Sequence, residues 1–227
     1  MRPARENRSI GSRSCWGAQS ANIWILGDSA TRIKHQGRYV YQSLLDNALG
    51  LAIIRWLARL PGEHIVIACA AIREEVPDHL KALVRHSYTQ LQTVADFGDI
   101  TADVVKVTVY DEQGRCLDLR GQLGECDDEA CIVASDKQWI DIANAGVHKG
   151  TTVARLQQLV GAGRHETLVF GDGLNDIELM ECADFSFAMR NGHDETKDAA
   201  NFITRSNDDD AVMHTILQLL ALQRLGA

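Results

Sequence analysis

Long apolar runs are missing from this chain of 227 residues: it contains no eighteen-residue apolar stretch, so no transmembrane helix is expected. Paired cysteines are missing too. Cys15, Cys69, Cys116, Cys126, Cys131 and Cys182 are scattered without a C-x-x-C pair or a neighbouring His at zinc spacing. With no secretion signal, reduced and mostly buried thiols are expected rather than a disulfide framework, and cytoplasm is the default location. Basic residues are in deficit, 23 Lys and Arg against 31 Asp and Glu, for a net charge of −8. That balance argues against nucleic acid and anionic membrane as main partners, while leaving room for a local basic pocket. There is no internal repeat and no low-complexity segment.

A hydrophobic content of 45% over this length suffices to bury a core, in one large domain or two small ones. Residues 1–20 lack periodicity and are rich in Arg, Ser and Gly, and they read as a disordered or aberrant leader. Residues 22–41 read as two strands about a turn at Gly37. From Ser43 to Leu60, Leu44, Leu45, Leu49, Ile53, Ile54 and Leu57 recur at helical spacing before Pro61-Gly62 ends the helix. His64–Ala71 and Asp103–Tyr110 read as strands, with a helix opened by Pro77 between them. A turn at Glu112-Gln113-Gly114 leads into a hairpin or loop, and Cys126–Asp128 reads as a solvated acidic turn. Ala130–Ala134 and Gln138–Ile142 are further strands. After Gly146 a helix is expected with Val153, Leu156, Leu159 and Val160 facing inward. A strand over Thr167–Phe170, a short helix from Ile177 and a strand over Phe185–Met189 follow. The chain closes with a helix over Asp194–Ala200, a short strand to Thr204 and a helix over Asp208–Leu220 whose first acids suit its dipole.

The chemistry concentrates in two stretches, Val147-His148-Lys149-Gly150 and Leu168-Val169-Phe170-Gly171-Asp172-Gly173-Leu174-Asn175-Asp176. The second is a strand running into a glycine turn that presents two carboxylates. Ligands of open α/β sheets bind at the carboxyl ends of strands. Two acids on a loop that permits close approach suit a hard cation such as Mg²⁺, which takes oxygen ligands and bridges to phosphate. Lys149 adds a positive charge where a helix begins, and backbone N–H groups there also favour anions.

These stretches resemble motifs III and IV of the haloacid dehalogenase-like (HAD) phosphatases, in their Cof-type branch. The resemblance continues through Phe185-Ser186-Phe187-Ala188-Met189-Arg190-Asn191, Lys197-Asp198-Ala199-Ala200 and Thr204-Arg205-Ser206-Asn207, and it covers roughly residues 22–220. It implies an α/β fold, a Rossmannoid core with a large α/β cap of the C2 type. The core would comprise 21–42 and 147–227, and the cap 43–146. It also implies Mg²⁺-dependent hydrolysis of small phosphomonoesters such as sugar phosphates through an aspartyl-phosphate. On that resemblance Lys149, Asn175 and Asn191 would bind the phosphoryl group, with Lys149 neutralising its charge, and Asp172 and Asp176 would hold the metal. The partner implied is a small phosphorylated metabolite.

One family element is not matched. The D-x-D-G-T motif, which supplies the nucleophile and the general acid/base, occurs nowhere in the 227 residues. The nearest segment, Ile23–Thr31, offers Asp28 alone, either as a lone nucleophile or as a turn residue after a strand. Aligned with the strand and hairpin that lead into the cap, this segment leaves the core expected without its first two strands. The strand over Thr167–Phe170 would then have an unpaired edge. The expectation is a phosphatase homologue with little or no turnover, and the alternative is a non-catalytic protein that binds a phosphate ligand or a partner.

Overall fold

A computed structural model describes residues 23–60, 64–68, 70–88, 91–123, 128–135 and 137–226. The expected leader, the helix stop Pro61-Gly62 and the Cys126-Asp127 part of the acidic turn lie outside the described residues. The chain divides into two compact units, Met1–His148 and Lys149–Ala227.

The first unit opens with an antiparallel sheet of β1 (Trp24–Gly27), β2 (Arg32–His35) and β3 (Arg38–Gln42). Helix α1 (Asn47–Leu57), β4 (His64–Ala68), β5 (Ala71–Arg73), α2 (Asp78–Ser87), β6 (Gln92–Val94), β7 (Lys106–Asp111), α3 (Cys116–Gln122), β8 (Ala130–Ala134) and β9 (Trp139–Asn144) follow. Strands β4 to β9 form one sheet in the order β6-β5-β4-β7-β9-β8, antiparallel except for the β5/β6 pair. Side chains alternate across a strand. Val107, Val109, Ile140 and Ile142 therefore face one side, where Ile53, Ile54 and Leu57 of α1 and Cys116 and Leu119 of α3 complete the core. The opposite face sends Ile65, Ile67 and Tyr110 against Leu80, Val84 and Tyr88 of α2 and its end.

Several sequence expectations shift here. Helix α1 begins at Asn47 because Asp46 caps it, its carboxylate accepting from the Leu49 N–H at 2.9 Å, so Leu44 lies outside the helix and exposed. The short strands β5 and β6 had no period long enough to read. Residues 116–122 form α3 rather than a hairpin or loop.

The strands of 24–42, grouped with 147–227 in the sequence reading, fall in the first unit. A polar cluster ties them there. The Ser29 hydroxyl donates to Asp141 on β9, and Lys106 Nζ on β7 reaches Ser29 Oγ at 2.7 Å and Asp141 Oδ1 at 2.8 Å. Thr108 donates to the same carboxylate at 2.6 Å, and the Tyr88 hydroxyl donates to Thr108 at 2.9 Å. These bonds hold a turn that costs energy. Asp28, Ser29 and Ala30 have φ of 51°, 55° and 73° with no glycine among them. Left-handed backbone costs about 1 kcal/mol or more per residue of this kind.

The second unit contains α4 (Lys149–Val160), β10 (Leu168–Gly171), α5 (Ile177–Met180), β11 (Phe185–Met189), α6 (Asp194–Ala199), β12 (Phe202–Thr204) and α7 (Ala211–Gly226). Its strands are all parallel, in the order β10-β11-β12, and among the described residues β10 pairs with β11 alone. In-register Phe170, Phe187 and Phe202 stack across the three strands with ring centroids 5.5 and 5.0 Å apart. Val169, Met180 and Ala183 form the opposing core under α5. Leu159 and Val160, expected inward, are exposed, and the buried residues of α4 are Gly150 and Thr152 near its start. The acids 208–210 precede α7 rather than start it, since Asp210 adopts φ 50° and breaks the turn from the helix. Among the described residues no helix is long and apolar enough to cross a membrane.

The Lys106–Asp141 pair yields a stability test. The two side chains are 13% and 15% exposed. Burial pushes the Asp141 carboxyl up, but the Lys106 ammonium beside it more than reverses this and holds it below the ordinary carboxylate value. Burial likewise pulls Lys106 down, and the charge and hydrogen bond of Asp141 together with the nearby Tyr88 and Asp28 outweigh that, leaving it above the ordinary lysine value. Lys106→Met strands a buried charge and is expected to cost about 3–5 kcal/mol in urea unfolding, whereas Lys106→Met/Asp141→Leu is expected to lose much less. A depressed carboxyl contributes stability above its unfolded pKa of about 3.9 and loses it as pH falls through the folded value. The wild type is therefore expected to lose more stability in acid than the double variant does.

Candidate active site

The loop that closes β10 is built around one buried carboxylate. Asp176, 5% exposed, sits at the end of the 3₁₀ turn Leu174–Asp176. Its Oδ2 accepts the backbone N–H groups of Asp172 and Gly173, each at 3.0 Å. Its Oδ1 accepts from Lys149 Nζ, which also donates to Asn175 Oδ1 at 3.1 Å. A buried carboxylate is tolerated only when its charge and lone pairs are met. Here one ammonium and two N–H groups meet them, so the shape of the loop and the position of Lys149 are fixed together.

Glycine permits the contact. A Cβ on Gly171 would lie 2.6 Å from Asp176 Cβ and 2.7 Å from Met180 Cε. Gly150, beside Lys149, brings α4 so close to α5 that a Cβ there would meet the Glu178 carbonyl oxygen at 2.3 Å. The Cys182 thiol donates to the Gly150 carbonyl at 3.1 Å, and burial raises its pKa above the ordinary thiol value. Gln157 Nε2 bonds Thr167 Oγ1 at 2.8 Å and the Cys182 carbonyl at 3.0 Å, tying α4 to the approach to β10. From the other side, fully buried Thr196 on α6 donates to the Gly173 carbonyl at 2.8 Å, and the His193 N–H donates to the Asp172 carbonyl at 2.9 Å.

Lys149 is the first residue of α4, and its side chain is 35% exposed. An ammonium has three donors. Two are used by Asn175 and Asp176 among the described residues, at a helix start whose N–H groups favour anions. Asp172 is exposed, and among the described residues its carboxylate has one partner, Asn207 Nδ2, which donates to Oδ2 at 3.0 Å. Asn191 lies in the loop after β11, with its amide engaged by Asn207. Lys149, Asn175, Asp172 and Asp176 thus converge on one loop, joined by Asn191 through Asn207.

Asp28 belongs to the first unit. Its carboxylate pairs with Arg32 at 3.1 Å, and its carbonyl accepts from Thr31.

Mg²⁺ surrounds itself with six oxygens in near-ideal octahedral geometry. Of the two acids expected to hold it, Asp176 has both oxygens committed, and only Asp172 presents a carboxylate outward. No group of three His, Cys, Asp or Glu side chains able to hold a metal ion occurs among the described residues. The residues present fit one corner of a Mg²⁺ shell and not the whole.

Two residues escaped the sequence reading of the site. Thr196 carried no signal beyond its place in a helix. Asn207 stood within the matched Thr204–Asn207 segment without a role, because its partner is 35 residues away in sequence.

The haloacid dehalogenase-like hydrolase family matches residues 30–216. The 5-amino-6-(5-phospho-D-ribitylamino)uracil phosphatase YbjI of Escherichia coli is 28% identical over 203 residues, 87% of this chain and 74% of that protein. Three further curated relatives are matched over 29%, 20% and 48% of their lengths. Among solved structures, SMU.1108c from Streptococcus mutans aligns with a TM-score of 0.85 at 21% identity, over 92% of this chain and 81% of that one. The HAD subclass IIB sugar phosphatase BT4131 aligns at 0.74 and 17%, over 92% and 80%. At these identities the structural likeness shows the α/β fold.

The close approach of α4 to α5 predicts that Gly150→Ala destabilises the second unit by about 1–3 kcal/mol or more, since the clash is with backbone and cannot be relieved by a rotamer. Thermal unfolding of the variant beside the wild type measures this.

Proposed function

The chain belongs to the haloacid dehalogenase-like hydrolases, and from that premise we propose that it carries the phosphate-binding half of a phosphatase acting on small phosphomonoesters. The observation that carries this is Lys149, pinned by Asp176 and Asn175 at the start of α4 with its side chain partly exposed. Lys149 neutralises the phosphoryl charge, and Asn175 lies beside it. Asp176 orients Lys149 and closes the loop. Asp172 is the one outward acid, and it supplies a single ligand when Mg²⁺ accompanies the substrate. The substrate class is a phosphorylated sugar or polyol, by analogy with the phosphoribitylamino compound of the E. coli relative and the sugar phosphatase among the structures.

Hydrolysis through an aspartyl-phosphate needs an attacking carboxylate. The 227 residues hold no D-x-D-G-T, and Asp28 is paired with Arg32 on a turn. The chain as given therefore binds phosphate and turns it over little or not at all. A second reading, a ligand-binding protein without catalysis, is favoured by the same pairing of Asp28.

The test is titration with inorganic phosphate, followed by calorimetry, together with turnover of p-nitrophenyl phosphate in Mg²⁺. Saturable binding is expected, weakened in Lys149→Met by about tenfold or more, the worth of a charge-assisted hydrogen bond. Turnover is expected at background. Absence of phosphate binding overturns the proposal, while Mg²⁺-dependent turnover abolished by Asp28→Asn makes Asp28 a nucleophile and the chain an active enzyme.

A further inference from the structure

Asp172 is held at three points from three segments. Its N–H donates to Asp176 Oδ2 at 3.0 Å, its carbonyl accepts the His193 N–H at 2.9 Å, and its Oδ2 accepts Asn207 Nδ2 at 3.0 Å. The third contact depends on which way the Asn207 amide faces, and a chain of donors and acceptors settles that. The backbone N–H of Asn207 can only donate, and it donates to Asn191 Oδ1 at 3.2 Å. The amide of Asn191 is thereby oriented, so its NH₂ group points to Asn207 Oδ1, at 2.7 Å. With that oxygen turned to Asn191, the NH₂ group of Asn207 is turned to Asp172. A side-chain amide has one acceptor end and one donor end, so a single unambiguous backbone donor fixes two amides in series and, through them, one carboxylate.

We propose that Asn191 and Asn207 are positioning residues that set the orientation of the Asp172 carboxylate, with Asn191 acting through Asn207 rather than on the phosphoryl group. The pair spans the loop after β11 and the 3₁₀ turn Asn207–Asp209 before α7, so the C-terminal part of the chain braces the acid at the end of β10. Gly192 lets that loop come close, since a Cβ there would lie 2.9 Å from both Asp172 Cα and the Asp172 carbonyl oxygen. The importance of Asp172 rests on the functional reading above, whereas its orientation does not.

The decisive variant is Asn191→Asp. It keeps the shape and the acceptor for the Asn207 N–H, but its carboxylate attracts the NH₂ group of Asn207 and turns it away from Asp172. Three-bond NMR couplings across χ1 of Asp172 (N–Cγ and C′–Cγ) report its rotamers in the 227-residue chain. The wild type is expected to show couplings of a single rotamer, and both Asn207→Ala and Asn191→Asp couplings averaged between rotamers, although among the described residues the Asn191 amide bonds to Asn207 and not to Asp172. A single rotamer retained in Asn191→Asp, or averaging already present in the wild type, overturns the inference. Inorganic phosphate titration of Lys149→Met tests the functional reading separately, and its failure leaves the couplings to decide this one.

Discussion

Everything in the second unit's candidate site depends on the contact between Lys149 and Asp176. A buried carboxylate is stable only because three donors converge on it, one from the start of α4 and two from the turn after β10. The ammonium positions the start of α4, and the N–H groups of Asp172 and Gly173 fold the chain after β10 into its turn. Gly171 and Gly150 then follow as steric requirements: the first lets Asp176 lie over the strand end, and the second lets α4 approach α5 closely enough for Lys149 to reach it. The ion pair, the glycines and the loop are one solution to the problem of burying a charge.

The first unit contains another lysine–aspartate pair with a mostly buried carboxylate, Lys106–Asp141, and comparing it with Lys149–Asp176 shows why only the latter is read as functional. Lys106 and Asp141 are 13% and 15% exposed, and Ser29 and Thr108 share the Asp141 carboxylate with the ammonium. That pair is closed on both sides and fastens a left-handed turn to two strands. Lys149 is 35% exposed while its partner is 8% exposed. The asymmetry leaves a partly exposed lysine side chain on a buried anion, which is how a charge can be held rigid and still be reached. Identical residue types thus form a closed pair in one unit and a partly exposed one in the other, and on the proposed reading that exposure is what offers a charge to a ligand.

How much of this was legible in the sequence follows from how local each interaction is. The turn after β10 was readable because Gly171, Asp172, Gly173, Asn175 and Asp176 make their contacts within a few residues, and Lys149 because its stretch has a recognisable pattern. The strand read over Asp103–Tyr110 overlaps β7, which runs over Lys106–Asp111. The inward face of α4 was misread at its C-terminal end: apolar periodicity selected Leu159 and Val160, which are exposed, whereas the close contact with α5 is made near the helix start at Gly150. The Asn191–Asn207–Asp172 chain was invisible, since it is made of polar residues far apart in sequence that only the fold brings together.

The two acids of the loop show how environment divides labour between like groups. Asp172 and Asp176 lie four residues apart and look interchangeable as metal ligands in the sequence. Burial and three donors leave Asp176 committed to the protein, shaping the loop and holding Lys149. Asp172 has its backbone tied on both sides while its carboxylate is exposed and, among the described residues, bonded through one oxygen. One acid is therefore an internal counter-charge and the other an outward carboxylate, much as paired carboxylates elsewhere are driven into different roles by solvation and hydrogen bonding. A loop with two outward acids would carry an unneutralised charge beside the phosphate position and repel the anion. Turning Asp176 inward onto Lys149 removes that repulsion and leaves a cation tip beside a single carboxylate. Such a pairing suits a phosphoryl group that arrives with its own cation.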